Sequence, residues 1–214
     1  MIAATVEQRT EDWYAARLGK ATASRFKDII TNTKAGSYGA GRRNYRSELT
    51  IERLTGRSSE RFTSSAMEWG MDTEELARLR YSLRTHNQVE LVGFLQHDEL
   101  MAGASPDGLV GTDGQIEIKC YNTANHIEAL KTDRMPSEHM AQVQGQLWIT
   151  GRAWCDFISF DPELPPQAQL FIQRIVRDDE YIKMLESEIR SFLAELDEEI
   201  DFVENYHLTV EEKV

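Results

Sequence analysis

The chain reads as an α/β (α+β) protein in which a central mixed β-sheet is flanked by helices. Three features of the sequence carry this reading. Apolar residues recur at helical spacing through the first 85 residues, short apolar and β-branched runs broken by glycines fill residues 86–177, and a long acidic amphipathic helix occupies 178–214. With 214 residues, the chain has enough length for one sizeable core, since a chain of this size buries roughly 70% of the surface its unfolded form exposes. Residues 1–214 are therefore read as a single domain made of those three stretches.

In order along the chain, a short helix is predicted over Asp12–Leu18 and another from Thr22 to about Ile30, with Thr22 or Ser24 as the capping oxygen. Thr31–Arg43 follows as a loop, because Gly36, Gly39 and Gly41 alternate with Lys34, Arg42 and Arg43. Such a segment is either a basic arm for the groove of a nucleic acid or a mobile surface loop. Helical spacing returns at Tyr45–Leu54 and at Ser65–Leu83, where Trp69, Leu76, Leu79 and Leu83 form the expected core face and Glu74 and Glu75 lie between them.

Strands are predicted at Val89–Gln96, Leu100–Ala104, Gly108–Val110 and Gln115–Cys120, with Gly111-Thr112-Asp113-Gly114 as a hairpin connection between the last two. Helices near Ala124–Leu130 and Glu138–Ile149, strands near Ala153–Phe160 and Gln169–Val176, and a helix over Asp179–Val203 complete the pattern.

Composition narrows the class. No apolar run approaches the roughly 20 residues that cross a bilayer, and Met1 to Glu11 lacks the basic and apolar regions of a secretory signal. A cytoplasmic location without a membrane is the expectation. Cys120 and Cys155 alone make neither a disulfide framework nor a four-thiolate metal site, so both are read as small buried hydrophobes.

The net charge of −12 is unevenly spread. Residues 1–61 carry 12 Lys and Arg against 7 Asp and Glu, whereas residues 178–214 carry 3 against 13. A positive track on an otherwise negative particle would let nucleic acid approach one surface and be repelled from the rest. The plainer alternative is an acidic tail that keeps the protein soluble.

The chemistry concentrates in two short stretches. Alternation along Gln115-Ile116-Glu117-Ile118-Lys119 turns Ile116 and Ile118 to one sheet face and Glu117 and Lys119 to the other. Ser105-Pro106-Asp107-Gly108 precedes the partner strand, so the hairpin brings Asp107 toward Glu117. Two carboxylates and an ammonium then converge, with Glu74 as a third carboxylate from the preceding helix. Hard oxygen ligands with open positions suit Mg²⁺, which keeps several waters and binds substrate phosphate oxygens. A bound cation lowers the pKa of its water and offsets charge on a scissile phosphate, and a second would stabilise the leaving oxygen. Lys119 would position or deprotonate the attacking water or hold a phosphate oxygen, and a neighbouring cation would lower its pKa. Taken separately, Glu117-x-Lys119 also fits a charge pair on a solvated sheet face, and Ser-Pro-Asp-Gly fits a turn.

Together, Asp107 and Glu117-x-Lys119 resemble the PD-(D/E)xK nuclease signature. The surrounding blocks resemble the phage lambda exonuclease family of YqaJ-type viral recombinases. These are Trp13-x-x-x-Arg17-Leu18-Gly19 with Thr22-Ala23-Ser24, then Trp69-Gly70 and Glu74, the two stretches above, and Met140-Ala141-Gln142-Val143-Gln144 with Trp148.

The resemblance implies a restriction-endonuclease-like core over 86–177 and 5′→3′ digestion of one strand of linear double-stranded DNA. The 3′ single strand left behind would pass to an annealing protein, and the enzyme would be a ring-shaped homotrimer in a phage or prophage setting within a bacterial host. It also implies roles. Glu74, Asp107, Glu117 and the Ile118 carbonyl would be metal ligands, two Mg²⁺ with Mn²⁺ as substitute. Lys119 would be the catalytic lysine, with Gln142 and Gln144 beside it. Arg17 and Ser24 would lie near a 5′-phosphate, Met67 would wedge apart the strands, and Arg42 and Arg43 would contact DNA, although the glycine-rich segment around them departs from the family loop. The alternatives are an endonuclease of the same superfamily and a non-catalytic DNA-binding or DNA-mimic protein.

Overall fold

In the computed structural model, residues 2–3, 7–32, 36–58 and 65–206 are described, with backbone alone for 2–3 and 65–72. The elements in chain order are β1 (Ile2–Ala3), α1 (Glu11–Arg17), β2 (Ala21–Thr22), α2 (Phe26–Ile30), α3 (Ala40–Thr55), α4 (Ser65–Thr85), β3 (Val89–Glu90), β4 (Leu95–Gln96), β5 (Ala102–Ala104), β6 (Gly108–Val110), β7 (Gly114–Lys119), α5 (Thr123–Thr132), α6 (Met140–Thr150), β8 (Trp154–Phe160), β9 (Leu170–Val176) and α7 (Asp179–Glu204). A mixed sheet flanked by helices is thus what the protein has.

The main sheet runs β3-β6-β7-β8-β9, and only β7 and β8 are parallel within it. Parallel neighbours need a crossover, here supplied by α5 and α6, which lie between β7 and β8 in the chain. Val110 pairs with Gly114, so a three-residue turn joins β6 to β7. Gly111 takes it at φ +54°, in the left-handed region that favours glycine.

Helices cover both faces of the sheet. Ile116, Ile118, Ile158 and Phe160 pack with Ala77 and Tyr81 of α4. On the opposite face Cys155, Phe157 and Phe171 pack with Val143 and Leu147 of α6 and Ala129 of α5. A separate core joins α2, α3 and α7 to the second sheet, whose order is β1-β4-β5-β2.

Four expectations are corrected here. Val89–Gln96 is not one strand, since β3 pairs with β6 in the main sheet while β4 pairs with β1 and β5 in the other. Thr22 ends a strand rather than capping a helix. Its backbone pairs with Gly103, no side-chain cap bond forms, and a 3-10 turn at Ala23–Arg25 leads into α2.

Among the described side chains, the core face of α4 is formed by Ala77 and Tyr81, both fully buried, whereas Leu76, Leu79 and Leu83 stand 38%, 56% and 64% exposed, and Trp69 lies outside the described side chains. Both stripes have helical spacing. The broad Tyr81 ring wins the inward face because its hydroxyl donates to buried Asp156 at 2.8 Å.

Arg42 is no mobile groove contact, because helix α3 already begins at Ala40. Its guanidinium is 2% exposed, paired to Glu195 at 2.6 Å and Glu188 at 3.3 Å, and lies over the Tyr38 ring at 3.9 Å. Arg46 and Arg53 likewise face Glu195, Glu199 and Asp197 on α7. Much of the basic N-terminal charge therefore neutralises the acidic C-terminal helix inside the fold. Arg43, one residue on, is exposed.

Candidate active site

The parallel pairing of β7 with β8 puts Glu117 in the middle of the sheet, beneath α6, and it is 2% exposed. An isolated carboxylate there would be costly, so its oxygens need strong donors. Gln142 Nε2 donates to Oε1 at 2.6 Å and Gln146 Nε2 to Oε2 at 2.6 Å, while Lys119 Nζ lies 2.6 Å from Oε1. Residues 142 and 146 are four apart on α6 and so share the face that covers the sheet. The reading of an exposed charge pair on a solvated face is thereby excluded for Glu117.

Gln146 is itself oriented by a buried chain of amides. Its carbonyl accepts from Gln115 Nε2 at 3.3 Å, and Gln115 Oε1 accepts from Thr150 Oγ1 at 2.8 Å. That chain leaves the Gln146 amino group pointing at Glu117.

Gln144 does not belong to the site. Two residues from Gln142 on a helix it faces the other way, and it is spent on bonds to the Val176 carbonyl at 2.9 Å and from the Asp178 N–H at 3.0 Å. It joins β9 to the start of α7.

Asp107 enters from the start of β6. Its N–H donates to the Ile116 carbonyl at 3.1 Å and its Oδ2 accepts from the Ile118 N–H at 2.6 Å, so the hairpin fixes both backbone and carboxylate. Burial, then the charges of Glu117 and Glu74, hold its pKa well above the usual carboxylate range, against the pull of Lys119 and the Ile118 N–H. Lys119 shows the reverse balance. Burial works to strip its proton, but Glu117, Asp107 and Glu74 outweigh that and raise its pKa above the usual lysine value. The lowered pKa expected beside a cation is not what these residues produce by themselves; they keep the ammonium charged.

Glu74, on α4, is 13% exposed, with Oε1 accepting from Arg78 Nη2 at 2.9 Å and Oε2 from Arg9. Among the described residues no three His, Cys, Asp or Glu side chains are gathered tightly enough to enclose a metal. The chemistry of the set nevertheless fits a divalent cation. Burial, with the charges of Glu117 and Glu74, makes Asp107 costly to ionise, and a cation among these oxygens would offset that cost.

The second cluster sits on α1 and β2. The Arg17 guanidinium lies 4.1 Å from the centre of the Trp13 ring and lines a pocket with Lys20, Thr22 and Tyr45. Exposed Ser24 touches it through the Thr22 hydroxyl at 3.3 Å. Trp13 Nε1 donates to Ser105 Oγ at 3.0 Å, two residues before Asp107, which ties this pocket to the carboxylates. Met67 lies outside the residues whose side chains are described.

Sequence reasoning missed Gln146, Arg9, Arg78 and the pair Tyr121–His139, which is hydrogen-bonded beside Lys119. Only Gln146 left a signal, its spacing of four from Gln142.

A family model described as the YqaJ-like viral recombinase domain matches residues 12–153. Among solved structures, an alkaline exonuclease from Laribacter hongkongensis (LHK-Exo) is similar over 94% of this chain and 100% of its own, at 46% identity and a TM-score of 0.87. Its complex with dAMP matches with the same figures. A phage related exonuclease from Haemophilus somnus 129PT, 16% identical with a TM-score of 0.65 over 86% of this chain and 96% of its own, shares the fold. No curated protein matches.

Proposed function

We propose, since the chain belongs to the YqaJ-like viral recombinase domain family, that it is a deoxyribonuclease that degrades linear double-stranded DNA from its ends. The observation that carries this is the buried Glu117, held by Gln142, Gln146 and Lys119 next to the repelling carboxylate of Asp107. Burying Glu117 beneath α6 with Asp107 fixed beside it by the hairpin costs stability, and a metal-binding role accounts for that cost.

Glu74, Asp107, Glu117 and the Ile118 carbonyl would hold Mg²⁺, two ions per site, with Mn²⁺ as a substitute. Bound there, the metal supplies an acidified water and offsets charge on the scissile phosphate. Lys119 orients or deprotonates the attacking water or holds a phosphate oxygen. Gln142 and Gln146 stop Glu117 from swinging, and neutral amides do this without competing for the cation. Arg17 and Ser24 take the terminal 5′-phosphate, a planar fork of donors beside a short hydroxyl. Arg43 touches the backbone from the N-terminal end of α3, and Met67 separates the strands.

Cleavage proceeds 5′→3′ and leaves a 3′ overhang for a single-strand annealing protein, in the cytoplasm of a bacterial host. Among the described residues no helix is long and apolar enough to cross a membrane. The chain acts as one nuclease domain within a ring-shaped homotrimer. The exposed stripe of Leu76, Leu79 and Leu83 supports assembly, because monomers rarely leave such a row bare.

The test uses linear duplex with a 5′-phosphate and a distinct label on each strand, alongside circular duplex, with Mg²⁺ and with EDTA. Nucleotides should leave only the 5′-phosphorylated strand of the linear DNA, and EDTA should stop them. Cutting of the circle would make the protein an endonuclease, and loss from the 3′ end would reverse the polarity.

A further inference from the structure

Both oxygens of Glu74 are taken by arginines, and the two are held very differently. Arg78 is four residues along the same helix, 2.9 Å from Oε1, and its Nε also reaches the Asp107 carbonyl at 3.3 Å. It is built into the scaffold. Arg9 arrives from outside the sheet, donates to Oε2, and keeps 39% of its side chain exposed. Glu74 is its one hydrogen-bond partner among the described residues.

The backbone aims Arg9 at this spot. Gln8 Nε2 donates to the Val92 carbonyl at 2.8 Å and to the Pro106 carbonyl at 2.9 Å, next to Asp107. Thr10 caps α1 through the Trp13 N–H. Between these anchors Arg9 sits at φ +69°, a left-handed conformation that a residue bearing a β-carbon adopts only at a cost. That outlay turns the side chain into the mouth of the carboxylate cluster.

With a guanidinium on each oxygen, Glu74 already has two positive neighbours, and a cation arriving at the same carboxylate is repelled by both. Release of one arginine relieves that repulsion when Glu74 joins Asp107 and Glu117, and Arg9 is the exposed one, with Glu74 as its partner among the described residues. Exposed ion pairs are weak, so its departure is easy. Once released, it presents a planar fork of donors at the place where a phosphate backbone would lie.

We infer that Arg9 is a positioning residue that exchanges the Glu74 carboxylate for a DNA phosphate when a divalent cation binds. This rests on the reading of the site as a metal-dependent nuclease. The exchange couples the two ligands. The cation displaces Arg9 and frees it for phosphate, and phosphate draws Arg9 away and opens Glu74, by the same factor in each direction.

The experiment is calorimetric binding of Ca²⁺ to the wild type, Arg9→Gln and Arg9→Lys. Each is titrated alone and with a short 5′-phosphorylated duplex whose terminal linkages are phosphorothioates, so that binding is read without turnover. The duplex should tighten Ca²⁺ binding to the wild type by about fivefold or more, the lower end of ordinary coupling. Arg9→Gln should bind Ca²⁺ alone more tightly than the wild type does and gain nothing further from DNA. Arg9→Lys, which keeps the charge, should retain part of the coupling. Equal tightening by DNA in wild type and Arg9→Gln, or a wild type that binds Ca²⁺ but ignores DNA, would overturn the inference and leave the nuclease reading standing. A wild type that binds no Ca²⁺ under either condition would overturn both.

Discussion

At the scale of single residues, the arrangement around Glu117 separates three glutamines that composition alone treats alike. Gln146→Leu removes the donor to Oε2, and Glu117 then loses one of its three restraints. Loss of a partner that orients a metal ligand typically costs about 10–100-fold in activity or metal affinity. The expected result is a fall of that size in kcat with little change in KM for DNA. Gln144→Leu should leave kcat unchanged and lower the melting temperature, because it loosens only the β9–α7 junction. Steady-state kinetics and a thermal melt on the same preparations check both.

Asp107, Glu117 and Lys119 were legible in the sequence because strand alternation and one hairpin suffice to bring them together. Gln144 was misplaced and Gln146 overlooked because the motif is read along the chain, whereas the helix presents every fourth residue. Arg9 and Arg78 left no trace, since their roles depend on contacts with Glu74 that no local pattern encodes.

At the scale of elements, the pairing of α3 with α7 accounts for the opposed charges at the two ends of the chain. Arg42→Ala would leave Glu195 and Glu188 facing each other beside a void. Removing one partner of a buried pair costs about 3–5 kcal/mol, and the partial exposure of both glutamates places this case near the lower end. Urea unfolding should show that loss, while the salt dependence of DNA binding stays unchanged because Arg42 faces no phosphate. The basic loop was misread because glycines near a helix start look like a linker, and the acidic partner is some 150 residues away in sequence.

The α4–β8 contact carries a pH signature. Tyr81 donates to Asp156 in the core, and burial, with that bond, raises its pKa to about 12 from an ordinary value of 10.0. A folded-state pKa above the unfolded one means the stabilisation is complete below pH 10 and fades as pH climbs through about 12. The wild type should exceed Tyr81→Phe by about 1 kcal/mol at pH 8, and the gap should close between pH 10 and 12. A gap that stays constant across that range would remove Tyr81 ionisation as its cause.

At the scale of the whole molecule, the α4 helix shows how far amphipathic pattern reaches. The pattern identified the helix but chose the wrong face as core, because two apolar stripes compete and only the packing of Tyr81 against the sheet decides between them. The outward stripe of Leu76, Leu79 and Leu83 is the surface we propose for assembly. Leu79→Glu combined with Leu83→Glu should lower the mass measured by light scattering to that of a monomer and reduce the number of nucleotides removed per binding event. A variant of unchanged mass would separate this stripe from assembly.

The central claim is that Asp107, Glu117 and Lys119 form a metal-dependent centre that hydrolyses DNA, and one assay addresses it most directly. Single-turnover release of labelled nucleotide from a 5′-phosphorylated linear duplex is followed for the wild type and Lys119→Ala, with Mg²⁺ and with EDTA. Release that requires Mg²⁺ and drops by about 100-fold or more in the variant is the predicted outcome. Undiminished release by Lys119→Ala, or release that persists in EDTA, would contradict it.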